Sequence, residues 1–157
     1  MSTDLSSARI TPMLWFDGNA EEAVAFYLSV FPNSRRTGEM RNSGPAPGPK
    51  DRALTVSFEL EGHSFIALNG GPMHQFNEAV SFVVLCNDQK EIDYYWEKLI
   101  AGGGSEIQCG WLKDKFGLRW QVTPRRMPDL IRHPKALQAM MGMKKLDIAA
   151  LKAAARD

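Results

Sequence analysis

Asn19-Ala-Glu-Glu-Ala-Val-Ala-Phe26-Tyr27 and Asn87-Asp-Gln-Lys-Glu-Ile-Asp-Tyr94-Tyr95 are two versions of one pattern, an asparagine and acidic residues closed by a pair of aromatics. The offsets 87 − 19 and 95 − 27 both equal 68. Each copy follows an apolar extended run and opens a helix, so the repeating unit is a strand, a capping turn and an amphipathic helix. The chain reads as two half-chains that share one fold.

Outward from the first copy, Ile10 to Phe16 is a continuous apolar run with a proline near its start, which suits a buried strand. Asn19 with Glu22 matches a capping box, and Ala20, Ala23, Val24, Tyr27, Leu28 and Phe31 share one helical face before Pro32 ends the helix. Ser34 to Arg41 reads as a polar edge strand. Asn42 to Arg52, with its prolines and glycines, reads as a loop. Ala53 to Leu60 and His63 to Leu68 form a hairpin through Glu61-Gly62. This module is β-α-β-β-β.

The second copy repeats the order. Ala79 to Cys86 is a strand, Asp88 and Glu91 cap a helix, and Ile92, Tyr95, Trp96, Leu99 and Ile100 are its apolar stripe. Gly102-Gly103-Gly104 ends it. Short strands follow at Ser105 to Gln108, Gly110 to Lys113 and Leu118 to Thr123. The hairpin glycines Gly62 and Gly117 are 55 apart, so the first module is longer by its Pro/Gly loop. From Pro128 to Asp157 the tail has helical composition, with a segment opened by Pro134 and an adaptable face of Met127, Met140, Met141 and Met143. It is expected to pack over a sheet or a partner subunit.

A chain of 157 residues with 44% hydrophobic content can bury its own core without a metal or disulfide staple. A net charge of +1 gives no electrostatic case for nucleic acid or an anionic membrane as partner. Cys86 and Cys109 have no metal or redox spacing, Met1 to Arg9 lacks the apolar stretch of a secretory signal, and no run suits a membrane span. A cytoplasmic protein is expected.

Particular strings resemble a known family: Leu14-Trp-Phe-Asp-Gly-Asn-Ala-Glu-Glu-Ala23, Asn69-Gly-Gly-Pro72, Ser81-Phe82, Cys109-Gly-Trp-Leu-Lys-Asp-Lys-Phe-Gly117, Trp120-Gln121 and Lys145-Leu-Asp-Ile-Ala-Ala-Leu151. Together they are similar to the PhnB-like proteins, often labelled 3-demethylubiquinone-9 3-methyltransferase. That group lies within the vicinal oxygen chelate superfamily of glyoxalase I, extradiol dioxygenases and bleomycin-resistance proteins. The resemblance covers roughly residues 9–154. It implies an α+β fold of two βαβββ modules, about 9–72 and 78–124, forming an open mixed-sheet barrel with a cavity and a helical tail over 125–154. It further implies a homodimer.

In metal-dependent members of that superfamily, His and Glu on inward strand positions hold a divalent ion. The corresponding positions fall near Pro12, near Ala67 or Asn69, at Ser81 and at Gln121, and none is a His, Asp, Glu or Cys. No bound metal is expected. The methyltransferase label would require a glycine-rich turn between a parallel strand and a helix, whereas Gly70-Gly71 precedes Pro72 and Gly102 to Gly104 closes a helix. No cofactor is expected.

The remaining candidates are ligand contacts. Gln121 shares a strand face with Arg119 and Thr123, and either lines a pocket or is a buried amide satisfied by backbone. Gln121, Ser81 and Asn69 are expected to meet the polar head of a ligand, and Trp15, Trp111 and Trp120 its apolar part, though strand aromatics also build cores. Cys109 lacks a neighbouring His and is read as structural before nucleophilic. His63, His74 and His133 lack helical metal spacing. Three functions stay open: binding of a small organic molecule, an isomerase, lyase or transferase using Arg119, Cys109 or His74, and sequestration of a drug or metabolite.

Overall fold

The computed structural model describes residues 4–156; the start of the Met1 to Arg9 stretch and the final Asp157 lie outside the described residues. The chain forms two compact units, Met1–Gln75 and Phe76–Asp157.

The first unit runs β1 (Met13–Phe16), α1 (Ala20–Val30), β2 (Ser34–Arg41), β3 (Ala53–Leu60) and β4 (His63–Asn69). Its sheet has the order β1-β4-β3-β2, with β1 parallel to β4 and the other pairs antiparallel. The second runs β5 (Ser81–Cys86), α2 (Gln89–Ile100), β6 (Ser105–Glu106), β7 (Trp111–Lys113) and β8 (Arg119–Pro124), in the order β5-β8-β7-β6. Here again the first strand lies parallel to the last. The two sheets therefore have one topology, and the class is α+β.

Each sheet buries one face under its helix. Ala20, Ala23, Val24, Tyr27 and Val30 of α1 are buried, and Tyr27 stacks on Phe58, which stacks on Phe65. Ile92, Trp96 and Leu99 of α2 are buried, as are Leu112, Trp120 and Val122 on β7 and β8. The offset of 68 carries through this packing: it pairs Val24 with Ile92, Leu28 with Trp96 and Phe31 with Leu99. Burial at roughly 1.5–3 kcal/mol per large side chain makes these stripes the main adhesive of each unit. The exposed edge β2 is protected by bulges and by ion pairs of Arg35, Arg36 and Arg41 with Glu59, Glu21 and Glu39.

The hairpin turn at Glu61-Gly62 has φ of +50° and +81°, the paired positive values of a tight two-residue turn. Asp88 caps α2 by accepting from Glu91 N–H at 2.9 Å, while Glu91 reaches back to Asn87 N–H at 3.0 Å. The arrangement resembles a capping box, with the return bond made one residue before the cap.

Several boundaries differ from the sequence reading. β1 begins only at Met13, and Ile10 is 89% exposed. Local bonds among Ser6, Ala8 and Thr11 hold the preceding segment in a turn. Asn19 makes no side-chain cap. Its place is taken by Asn69, whose Oδ1 accepts from Ala20 N–H at 2.9 Å. β5 starts at Ser81 because Asn77 Oδ1 accepts from Ala79 N–H and turns the chain there. β6 and β7 are shorter than expected because Cys109 and Gly110 turn left-handed, with φ of +59° and +83°. Their N–H groups donate to Met143 O at 2.7 Å and Lys144 O at 2.8 Å.

Those two bonds also dock the tail, α3 (Met127–Leu130), α4 (Pro134–Met141) and α5 (Ile148–Arg156), on its own unit. The Lys145 to Leu151 string is the clasp. Lys145 pairs with Asp93 at 2.9 Å, Leu146 is buried, and Asp147 Oδ1 accepts from Ala150 N–H. Gln89 of α2 donates to Leu146 O and accepts from Ile148 N–H. Met127, Met140 and Met143 are half-buried, while Met141 stays exposed.

Candidate functional site

Alternation along β8 sorts the second unit's candidates. Trp120, Val122 and Pro124 are buried, whereas Arg119, Gln121 and Thr123 are half-buried on the face turned away from α2. Pairing places Ser81 and Lys113 beside Arg119, Val83 and Trp111 beside Gln121, and Leu85 beside Thr123. One sheet face thus collects Ser81, Trp111, Arg119 and Gln121 from the sequence reading. Lys113, Val83 and Leu85 join them, and the last two are exposed. The alternation signalled these neighbours, but only the register shows which residues stand side by side.

Gln121 Nε2 donates to Ser81 Oγ at 2.9 Å, so the amide is satisfied by a side chain of the neighbouring strand. Arg119 is held from three sides: Nη1 donates to Gly117 O and Phe76 O, and Nη2 to Glu78 Oε1 at 2.8 Å. The Glu78 carboxyl lies below its usual pKa because its own backbone N–H and then the Arg119 guanidinium favour the charged form.

Trp120 stands on the opposite face. It is 3% exposed, lies on the α2 side, packs against Phe82 and donates Nε1–H to Asp114 Oδ2 at 2.9 Å. Asp114, itself buried, also accepts from Phe116 and Leu118 N–H and shapes the hairpin at Gly117. Trp120 is core. Asn69 is likewise committed, since its Nδ2 donates to Ala53 O at 2.9 Å while its Oδ1 holds α1.

Trp15 keeps a half-buried ring in the first unit, fixed by Nε1–H donation to Gly71 O at 2.8 Å and by an edge contact with His74. Cys109 is half-buried in its left-handed turn, with Sγ 3.8 Å from Met141 O. A concavity of about 200 Å³, not foreseen in the sequence, is lined by Asp17, Asn42, Pro47, Arg52, Pro72 and the predicted Asn69 among others. Asn42 folds the loop that walls it, bonding Ala46, Gly44 and Gly48.

Two βαβββ units, each with its first strand parallel to its last, define the architecture of glyoxalase-like proteins. The model of the family described as 3-demethylubiquinone-9 3-methyltransferase matches residues 8–123, and the chain belongs to this PhnB-like family. A PhnB protein of Bacillus cereus, titled a putative 3-demethylubiquinone-9 3-methyltransferase, is 33% identical, with a TM-score of 0.65 over 74% of this chain and 99% of its own. A Pseudomonas aeruginosa protein is 22% identical, with a TM-score of 0.60 over 75% of this chain and 98% of its own. The fosfomycin resistance protein FosX of Listeria monocytogenes, complexed with Mn(II) and sulfate, shares the fold at 15% identity and a TM-score of 0.53, over 79% of this chain and 98% of its own. No curated protein matches the chain.

The donor set here does not fit a tightly held transition metal. Pro12 offers only a carbonyl, which accepts from Ile66 N–H. Ala67 has no donor atom, the Asn69 amide is engaged, and Ser81 and Gln121 bond each other. Among the described residues no three His, Cys, Asp or Glu side chains cluster. The glycine pairs do not fit an S-adenosylmethionine turn either. A Cβ on Gly70 would lie inside the Trp15 indole, and one on Gly104 would strike Lys113 O and the Ile100 backbone. Packing explains both glycines. No described helix is long and apolar enough to cross a membrane.

Proposed function

We propose that the chain binds a small organic molecule on the face of its second sheet turned away from α2, without a tightly bound metal, as a cytoplasmic homodimer. The observation that carries this is the mixed character of that face: the Ser81–Gln121 pair and Arg119 stand beside Trp111 and the exposed Val83 and Leu85. Polar groups that orient a ligand next to apolar surface that holds it are the usual composition of a small-molecule site. Trp15 is the first unit's remaining aromatic candidate.

Cys109 has no acid or base partner among its hydrogen bonds, so binding is preferred to turnover as the reading. Methyl transfer, named in the family's description, predicts micromolar binding of S-adenosylmethionine; the expected calorimetric result is none.

Mass spectrometry of small molecules released by acid from freshly purified protein tests the site. The parent is expected to release an organic compound that Gln121→Ala and Trp111→Ala lose. Full occupancy in both variants would remove this face from the function.

A further inference from the structure

Arg119 is unusual for a cation on a half-open face. Its side chain is only 13% exposed, and while Nη1 is closed off by Gly117 O at 2.6 Å and Phe76 O at 3.2 Å, Nε is buried and donates to nothing. In a planar guanidinium, Nε–H and one Nη2–H point the same way along one edge, spaced to meet both oxygens of a carboxylate. Glu78 occupies the Nη2 half of that edge through Oε1 at 2.8 Å. The Nε half has no acceptor and is closed to solvent.

Glu78 itself is loosely placed for such a partner. Its side chain is 67% exposed and belongs to the turn before β5, outside any strand or helix. Lys113 pairs with Arg119 across β7 and β8 and forms no ion pair among the described residues. Two cations therefore face one displaceable carboxylate. The next row of the sheet is Val83, Gln121 and Trp111, apolar surface flanking an amide.

We propose that the Nε and Nη2 edge of Arg119 is an anion subsite for the carboxylate of an organic acid, and that Glu78 is a resident counter-ion which the ligand displaces. This deepens the binding reading above and rests on it. A carboxylate is chosen over a phosphonate because one edge offers two coplanar donors, matching two oxygens and leaving a third without a partner on Arg119. Displacement exchanges one charge-assisted contact for a two-point contact, so removal of Glu78 should strengthen binding.

The test is calorimetric titration of the full chain with 2-naphthoate, its neutral isostere 2-naphthamide and 2-naphthylphosphonate. Wild type, Glu78→Gln and Arg119→Lys are compared, with melting curves to confirm folding. Expected are tighter binding of naphthoate than of naphthamide, a further gain for naphthoate of about tenfold in Glu78→Gln with naphthamide unchanged, and loss of the naphthoate preference in Arg119→Lys. If Arg119→Lys does not fold, the Glu78→Gln contrast decides alone. Binding of naphthamide and naphthoate with equal affinity in every variant overturns the anion subsite and leaves the binding face standing. A Glu78→Gln gain for the phosphonate but not the carboxylate overturns the ligand class. Binding of neither aromatic compound to any variant overturns this face as a site for aromatic acids.

Discussion

Asn69 sits at the end of β4, and its amide joins three pieces of the first unit: its own strand, the start of β3 through Ala53 O, and the first turn of α1 through Ala20 N–H. Helix N-termini carry unsatisfied N–H groups, and here the cap arrives from a strand instead of from Asn19. Asn69→Ala should therefore destabilise the protein by about 1–3 kcal/mol in urea melts while leaving ligand release unchanged. A loss of the ligand without a loss of stability would return Asn69 to the binding site. The two cysteines differ as sharply. Burial, reinforced by the Glu91 and Asp88 carboxylates, pushes the Cys86 thiol up from 9.0 to about 12. With the folded pKa raised, the favourable contribution of the neutral thiol is complete below pH 9.0 and is lost as pH rises from there to about 12. At pH 8 a thiol reagent should label Cys109 in the native chain and reach Cys86 only after unfolding; fast native labelling of both would contradict the burial.

At the scale of elements, the tail is fastened through a left-handed turn. Gly110 has φ of +83°, and a Cβ there would stand 2.9 Å from Leu146 Cδ1. Gly110→Ala is expected to cost about 1–3 kcal/mol through strain and overpacking, and to speed proteolytic cleavage between α4 and α5. Stability and cleavage equal to those of the parent would show that the clasp is not needed. Elements held by periodicity were legible in the sequence: α1, α2, the β3-β4 hairpin and the full extent of β2 follow from patterns that recur along a helix face or a strand. Ile10 misled because an apolar residue two positions before a proline looks the same in a strand and in a bend, and the bonds of Ser6 and Thr11 decide between them. Asn19 misled because its cap comes from a residue 50 positions further along. For the candidate site, the family strings singled out Gln121 and Ser81, while the bond between them follows from the strand pairing. The core role of Trp120 depends on strand parity and on Asp114, and Glu78 beside Arg119 depends on a turn that no periodicity describes.

Residues 13–124 are a repeated βαβββ unit followed by a helical tail, with a fold shared by a manganese-bound resistance protein. The two units share the packing registers Val24 with Ile92 and Phe31 with Leu99, all four buried. The positions expected to ligate metal carry Pro12, Ala67 or Asn69, Ser81 and Gln121, whose polar atoms bond the backbone or each other. On the proposed reading this scaffold holds an organic ligand instead of a tightly held metal ion. Native mass spectrometry of untagged, freshly purified protein tests that claim most directly. It predicts a dimer carrying a dissociable organic molecule and no stoichiometric metal; near-stoichiometric manganese, iron, nickel or zinc on each subunit would contradict it.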